Sequence, residues 1–176
     1  MNADTLRDYI RNVPNFPKQG IVFRDITTLL KNEKAFRAVS EILLKKYSQA
    51  GIQKVVGIES RGFIFGSILA HQLGVGFVPA RKPGKLPSET VRQEYRLEYG
   101  SDAVEMHKDA IRAGERVLLH DDLLATGGTM SATAQLTEKV GGKIVGISFL
   151  IELTFLKGRD KLKDYDVFSI IRYDSE

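Results

Sequence analysis

The stretch from Val117 to Thr129 constrains this chain more than any other. An apolar run, Val117-Leu118-Leu119-His120, leads into two adjacent carboxylates, Asp121-Asp122, and then through Leu123-Leu124 into the small-residue segment Ala125-Thr126-Gly127-Gly128-Thr129. A helix-forming segment from Met130 to Val140 follows. With so little side-chain bulk, the backbone N–H groups of the loop can close around an anion, and Thr126 and Thr129 add hydroxyl donors. The first turn of the helix brings unsatisfied N–H groups and the positive end of its dipole to the same spot. Asp121 and Asp122 would repel a phosphate, so they should face hydroxyl groups or a divalent cation. A sugar diol with a phosphate on one end meets both demands. An ordinary strand-to-helix turn also uses Gly and Thr, but it gives the acidic pair no purpose.

Familiar nucleotide loops are excluded by inspection. A P-loop needs Lys after its second Gly, and here Gly128 is followed by Thr129 and Met130. The dinucleotide fingerprint fails at Gly74-Val75-Gly76-Phe77-Val78-Pro79, where Pro79 stands in place of the last Gly. The chain has 176 residues and suggests one domain over 1–176, with a single sizeable core. No Cys is present, which removes disulfides, thiolate nucleophiles and most structural zinc sites. No apolar run approaches the length of a membrane span and Met1-Asn2-Ala3-Asp4 begins no signal peptide, so a soluble, cytoplasmic protein is expected. A net charge of +4 favours anionic ligands, nucleic acid or a small polyphosphate among them.

Along the rest of the chain, Leu6, Tyr9, Ile10 and Val13 recur at helical spacing up to Pro14, and Phe16 to Thr27 reads as an ordered loop. Asn32 caps a predicted helix whose face runs from Ala35 to Tyr47 and which Gly51 ends. Lys54 to Ile58 is a predicted strand that delivers Glu59-Ser60-Arg61-Gly62 to a helix start, the geometry of a ligand crevice in an open sheet. Val75 to Ala80 is another, discharging into Arg81-Lys82-Pro83-Gly84-Lys85, three cations that read as an anion clamp. Val91, Tyr95, Leu97 and Tyr99 alternate with polar residues, Gly100-Ser101-Asp102 turns, and Val104 and Met106 alternate back, a hairpin suited to a lid. Ile144 to Ile151 and Val167 to Ile171 complete a predicted α/β domain with a parallel sheet of roughly five strands.

With these motifs assembled, the chain resembles the type I phosphoribosyltransferases, in which an apolar strand ends in two acids and runs into a Thr-Gly-Gly-Thr loop. The form Asp-Asp-Leu-Leu-Ala-Thr-Gly-Gly-Thr is similar to that of the adenine-using members, and His120 stands where an aliphatic residue is usual. The resemblance implies the type I fold, with helices flanking the central sheet, a small hood from residues about 1–30 and the C-terminal residues, and a flexible hairpin lid. It implies purine salvage, in which adenine and 5-phosphoribosyl 1-pyrophosphate (PRPP) give AMP and pyrophosphate. Mg²⁺ would be bound mainly through PRPP, near Asp121 and Asp122, and the protein would be a homodimer that engages neither nucleic acid nor membrane.

The site residues follow from the same resemblance. Ala125, Thr126, Gly127, Gly128 and Thr129 would form the phosphate loop, and Glu98, Asp121 and Asp122 the catalytic groups. Pyrophosphate would meet Arg81, Lys82, Lys85 and a turn at Glu59, Ser60 and Arg61 that is often strained or cis in the family. Adenine would meet backbone groups of Val22 and Arg24, the Phe23 ring and, on its second face, Leu153, while Tyr99 would join Glu98 on the lid. From the residues alone, 16–27 reads as a packing loop and Glu98 as an exposed strand acid, while a mere surface charge is the lesser reading of Arg61. A 6-oxopurine phosphoribosyltransferase and a PRPP-sensing nucleic-acid-binding regulator stand as the alternative functions.

Overall fold

In the computed structural model, which describes residues 1–96 and 100–176, the elements run α1 (Ala3–Arg7), β1 (Arg11–Pro14), β2 (Val22–Asp25), α2 (Thr27–Leu30), α3 (Glu33–Tyr47), β3 (Lys54–Ile58) and α4 (Gly62–Leu73). They continue β4 (Gly76–Ala80), β5 (Thr90–Arg96), β6 (Ser101–His107), β7 (Arg116–Leu124), α5 (Gly128–Lys139), β8 (Lys143–Leu153) and β9 (Val167–Tyr173), with short 3-10 turns at Thr154–Leu156 and Gly158–Lys161. Five strands pair in parallel in the order β4-β3-β7-β8-β9. Their near-continuous apolar runs match burial on both faces of the sheet. On one face Val39 and Leu43 of α3 and Phe65 and Leu69 of α4 pack with Leu118, and on the other Met130 and Leu136 of α5 pack with Leu119 and Met106. The helix α3 begins as its sequence predicts, with the Asn32 side chain accepting from the Ala35 N–H at 3.0 Å.

Two expectations are corrected. The N-terminal helix stops at Arg7, and Arg11–Pro14 is a strand paired antiparallel with β2, Val13 opposite Phe23 and Pro14 opposite Val22. Tyr9, Ile10 and Val13 fit a helix by spacing, but a partner ten residues on in the chain decides the matter, and the segment expected as loop contains the strand Val22–Asp25. The second correction concerns β7, which does not end before the carboxylates. β8 is long enough to pair with it as far as Leu124 opposite Glu152, so Asp121 and Asp122 are strand residues and α5 starts at Gly128 rather than Met130. By the alternation of a strand, Asp122 shares a face with His120 and Leu118, and Asp121 shares the other with Leu119.

Candidate active site

The carboxyl ends of β3, β4 and β7 bring the chain's polar segments to one edge of the sheet. A crevice of about 270 Å³ is lined there by Glu59, Arg81, Lys82, Tyr95, Asp102, Asp121 and Thr129, among others. A smaller one of about 80 Å³ follows Asp121 and the loop from Ala125 to Thr129, so the two cavities meet at Asp121 and Thr129. A larger hollow of about 400 Å³ beside Tyr9, Arg11 and Lys31 lies away from these strand ends. Position decides in favour of the sheet edge, where an open α/β sheet presents its loops and helix starts.

The small-residue loop has the geometry expected of an anion cradle. Gly127 has φ +76°, and a Cβ there would overlap the Gly158 carbonyl oxygen, so only Gly fits. Among the described residues no side chain caps α5, and its first helical bond runs from the Ser131 N–H to the Gly127 carbonyl at 2.9 Å. The N–H groups ahead of it point into the loop without the Asn cap that α3 has. Tyr95, which sequence reasoning passed over as a lid residue, reaches this cradle from β5: the Thr129 hydroxyl donates to its phenol oxygen at 3.0 Å.

Asp121 and Asp122 stand beside the cradle. Burial, and then repulsion from its neighbour, pushes the Asp121 carboxyl well above the usual carboxylate range. Burial raises Asp122 as well, opposed by the Arg61 guanidinium, whose Nε lies 3.0 Å from Asp122 Oδ2. Among the described residues Asp122 Oδ2 is buried without a hydrogen-bond donor. His120, behind them, is fully buried, with Nδ1 2.8 Å from Ser148 Oγ and Nε2 without a partner. Burial pushes its imidazole down to about 4, so it is neutral.

The β3–α4 turn holds Glu59, Ser60 and Arg61, and its Glu59-Ser60 peptide is cis. Glu59 accepts from Arg81 Nε at 2.8 Å and from the Lys82 N–H at 2.6 Å. Burial pushes the Glu59 carboxyl up, but these two donors outweigh it and hold the group below its ordinary value. Lys82 is hydrogen-bonded to Asp102 on β6, and the Gly84 N–H donates to Glu105 Oε2 at 3.1 Å. Arg81 also donates to the Lys85 carbonyl at 3.0 Å. Asp102 and Glu105 are not legible in the sequence, because their partners are distant along the chain and meet them only where the loop docks on β6, at the Arg81–Glu105 bridge among other contacts.

At the far end lies Phe23 on β2, packed edge-on by Phe16 at 5.1 Å and overlaid by the Arg61 guanidinium at 5.1 Å. Arg61 thus touches both Phe23 and Asp122. The Arg24 side chain is engaged with Asn12 Oδ1 at 2.6 Å, the Ser175 carbonyl at 3.3 Å and the Tyr173 ring at 4.1 Å. Leu153 ends β8, half-buried. Glu98 and Tyr99 lie outside the described residues.

Comparison with known proteins agrees with this arrangement. The phosphoribosyl transferase domain family matches residues 25–176. The adenine phosphoribosyltransferase of Christiangramia forsetii is 56% identical over 168 residues, 96% of this chain and 98% of its own length. The crystal structure of adenine phosphoribosyltransferase from Thermoanaerobacter pseudethanolicus superposes with a TM-score of 0.95 at 52% identity, covering 98% of this chain and 100% of that one. The enzyme of Saccharomyces cerevisiae, solved with adenine and an imino-altritol bisphosphate, has a TM-score of 0.90 at 42% identity, covering 96% of this chain and 97% of that one.

Proposed function

The chain belongs to the phosphoribosyl transferase family, and from that premise we propose that it works in purine salvage, joining adenine to the ribose of PRPP to give AMP and pyrophosphate. One observation carries the reading: two cavities that meet at Asp121 and Thr129 bring together an uncapped helix start, the Asp121 carboxyl and the cations Arg81 and Lys82, the chemistry demanded by a phosphate, a ribose diol and a pyrophosphate. The 5′-phosphate sits on the backbone donors of Ala125 to Thr129. Ribose hydroxyls face Asp121 and Asp122, and pyrophosphate faces the turn at Glu59-Ser60-Arg61 and the loop bearing Arg81, Lys82 and Lys85. Because Lys82 is paired with Asp102, it exchanges that carboxylate for the pyrophosphate oxygens when substrate enters.

Adenine stacks on Phe23 with Leu153 on its other face, and the backbone of Val22 and Arg24 reads its edge. Arg61 links the two ends, since it lies over Phe23 and against Asp122. The bond forms between adenine N9 and the anomeric carbon as pyrophosphate leaves, through an oxocarbenium-like state that the nearby carboxylates stabilise. Glu98, with Tyr99 on the β5–β6 connection, accepts the proton from the purine as the hairpin closes as a lid. Magnesium fits this donor set: the described residues offer no cluster of three acids, His or Cys to hold a metal alone, but the carboxylates of Asp121 and Asp122, the latter ion-paired with Arg61, suit a cation that arrives with PRPP. Bound there, it supplies neutralisation of the leaving group's charge.

A hood from residues about 1–30 and the C-terminal residues closes the base end, supported by the Arg7 guanidinium donating to the Arg172 carbonyl at 2.6 Å. A homodimer is supported by α4, which leaves Phe63, Ile64 and Ile68 half-buried, with Phe63 edge-on to Phe77 of the edge strand β4. Small molecules rather than nucleic acid or membrane are the partners, and the protein acts in the cytoplasm. No helix among the described residues is long and apolar enough to cross a membrane. Purine-dependent release of pyrophosphate from PRPP, measured with adenine, hypoxanthine, guanine and xanthine, tests the reading. Turnover with adenine alone is the expected result, and turnover with a 6-oxopurine instead would overturn it.

A further inference from the structure

The turn Gly158–Lys161 lies backbone against backbone on the phosphate loop. A Cβ on Gly127 would overlap the Gly158 carbonyl oxygen. A Cβ on Gly158 would in turn overlap the Ala125 carbonyl oxygen and come within 2.9 Å of Leu124 Cδ1 and 3.1 Å of the Gly127 nitrogen. The floor of the cradle is therefore another piece of chain, and anything that moves the turn moves the loop.

Little inside the turn holds it in place. It spans four residues, and it is entered through Lys157 at φ 52°, a left-handed conformation that costs a non-Gly residue energy. Leu162, buried in the core, anchors its end, and Arg159 ties it to the sheet. The guanidinium grips Glu152 with both arms, Nε to Oε1 at 2.5 Å and Nη2 to Oε2 at 2.8 Å, while Nη1 donates to the Val167 carbonyl at 2.8 Å. Glu152 is 3% exposed and sits opposite Leu124, the residue at which β7 gives way to the loop. Burial pushes its carboxyl up, but Arg159 first, then Ser169 and the Arg172 guanidinium 3.4 Å away, outweigh this and hold it below its ordinary value. A buried ion pair brings little net stability over apolar packing, whereas a forked pair fixes orientation.

We propose that Arg159, clamped by Glu152, is a positioning residue that sets the height and tilt of the Ala125–Thr129 loop and so tunes its grip on the 5′-phosphate of PRPP and AMP. The proposal rests on the phosphate-loop reading above. Arg159 touches no substrate; it acts through Gly158 on Gly127.

Steady-state kinetics on the full chain, with AMP binding by calorimetry and the melting temperature recorded alongside, tests this. Arg159→Met should raise the KM for PRPP and weaken AMP about tenfold or more, since small misplacements of a binding group have large effects. It should leave the KM for adenine unchanged and kcat within about threefold, the pattern of lost ground-state binding. Arg159→Lys, which keeps the charge but loses the fork, should recover part of the loss. If Arg159→Met does not fold, Arg159→Lys carries the same expectation at smaller size. An unchanged KM for PRPP, or parallel losses in PRPP, adenine and kcat that follow the melting temperature, would overturn the proposal. Gly127→Ala in the same assay separates the two levels. If it raises the KM for PRPP while the Arg159 variants do not, only the brace fails; if neither does, the phosphate-loop reading fails with it.

Discussion

Two loops at the same sheet edge offer an anion opposite kinds of donor. The Ala125–Thr129 loop carries no charged side chain; its donors are backbone N–H groups at an uncapped helix start, and Gly127 is wedged against Gly158. The Arg81–Lys85 loop carries three cations, and two of them already have carboxylate partners, Arg81 with Glu59 and Lys82 with Asp102. The difference matches the task that the proposed function gives each loop. A phosphate that stays with the product through the reaction is well served by fixed neutral dipoles that need no rearrangement. A group that must arrive, be stabilised and leave is better served by cations that trade one anion for another.

The strongest way to break this contrast is Gly127→Val. A branched side chain at φ +76° collides with the Gly158 carbonyl, and forcing a non-Gly residue there costs about 1–3 kcal/mol before the collision is counted. PRPP affinity should therefore fall by about 100-fold or more, measured as KM, in a variant that still melts cooperatively. Gly128→Ala is the internal control: its Cβ would come 3.3 Å from the Tyr95 ring, a side chain that can give, so a much smaller effect is expected. Equal losses at the two positions would mean that rigidity at Gly127 is not what holds phosphate.

Glu59→Gln sharpens the other half through the sign of its effect. If Glu59 only adds negative charge beside pyrophosphate, its neutralisation should tighten pyrophosphate binding. If its carboxylate organises Arg81 and the Lys82 N–H, as the hydrogen bonds at 2.8 and 2.6 Å indicate, binding should weaken by about tenfold, the scale of one charge-assisted hydrogen bond. A pyrophosphate titration of the variant distinguishes the two directly.

The sequence made some of this legible and hid the rest for identifiable reasons. Parallel strands such as Ile144 to Ile151 are apolar over their whole length, so they declare themselves, and the cradle is recognisable because Gly-Gly flanked by Thr leaves little but backbone to bind with. β1 was misread because Tyr9, Ile10 and Val13 suit a helix locally, and only pairing with β2 overrules that. Tyr95 beside Thr129, Lys82 beside Asp102 and Glu152 beside Arg159 were invisible because each pair is made by tertiary packing. An acid ending an otherwise apolar strand, as Glu152 does, is the one hint that such a partner exists.

Phe23→Ala moves away from both loops to the base. Loss of one aromatic stack should weaken adenine by about 1–3 kcal/mol with much less effect on PRPP, read from the two KM values. Equal losses would assign Phe23 to supporting the hood, where Phe16 packs on its edge.

The mildest expectation concerns the strand beneath the cradle and leaves turnover at neutral pH untouched. His120 is held down to about 4 by burial, against 6.5 when free. A depressed pKa contributes stability above pH 6.5 that is lost as pH falls toward 4, because the unfolded chain takes up the proton and the folded one does not. At pH 5 the loss is about 2 kcal/mol relative to neutral pH. Urea denaturation of His120→Leu should show a flatter profile between pH 7 and 5 than the parent, and identical profiles would remove His120 as the source.

The division of labour between the loops is tested most directly by titrating AMP and magnesium pyrophosphate, separately, into the parent, Gly127→Ala and Lys85→Ala. AMP has lost the group that the cationic loop holds, and pyrophosphate lacks the group that the cradle holds. Gly127→Ala should therefore lose AMP and keep pyrophosphate, while Lys85→Ala loses pyrophosphate by about tenfold and keeps AMP. Both ligands weakened alike by both variants, or the two losses interchanged, would contradict it.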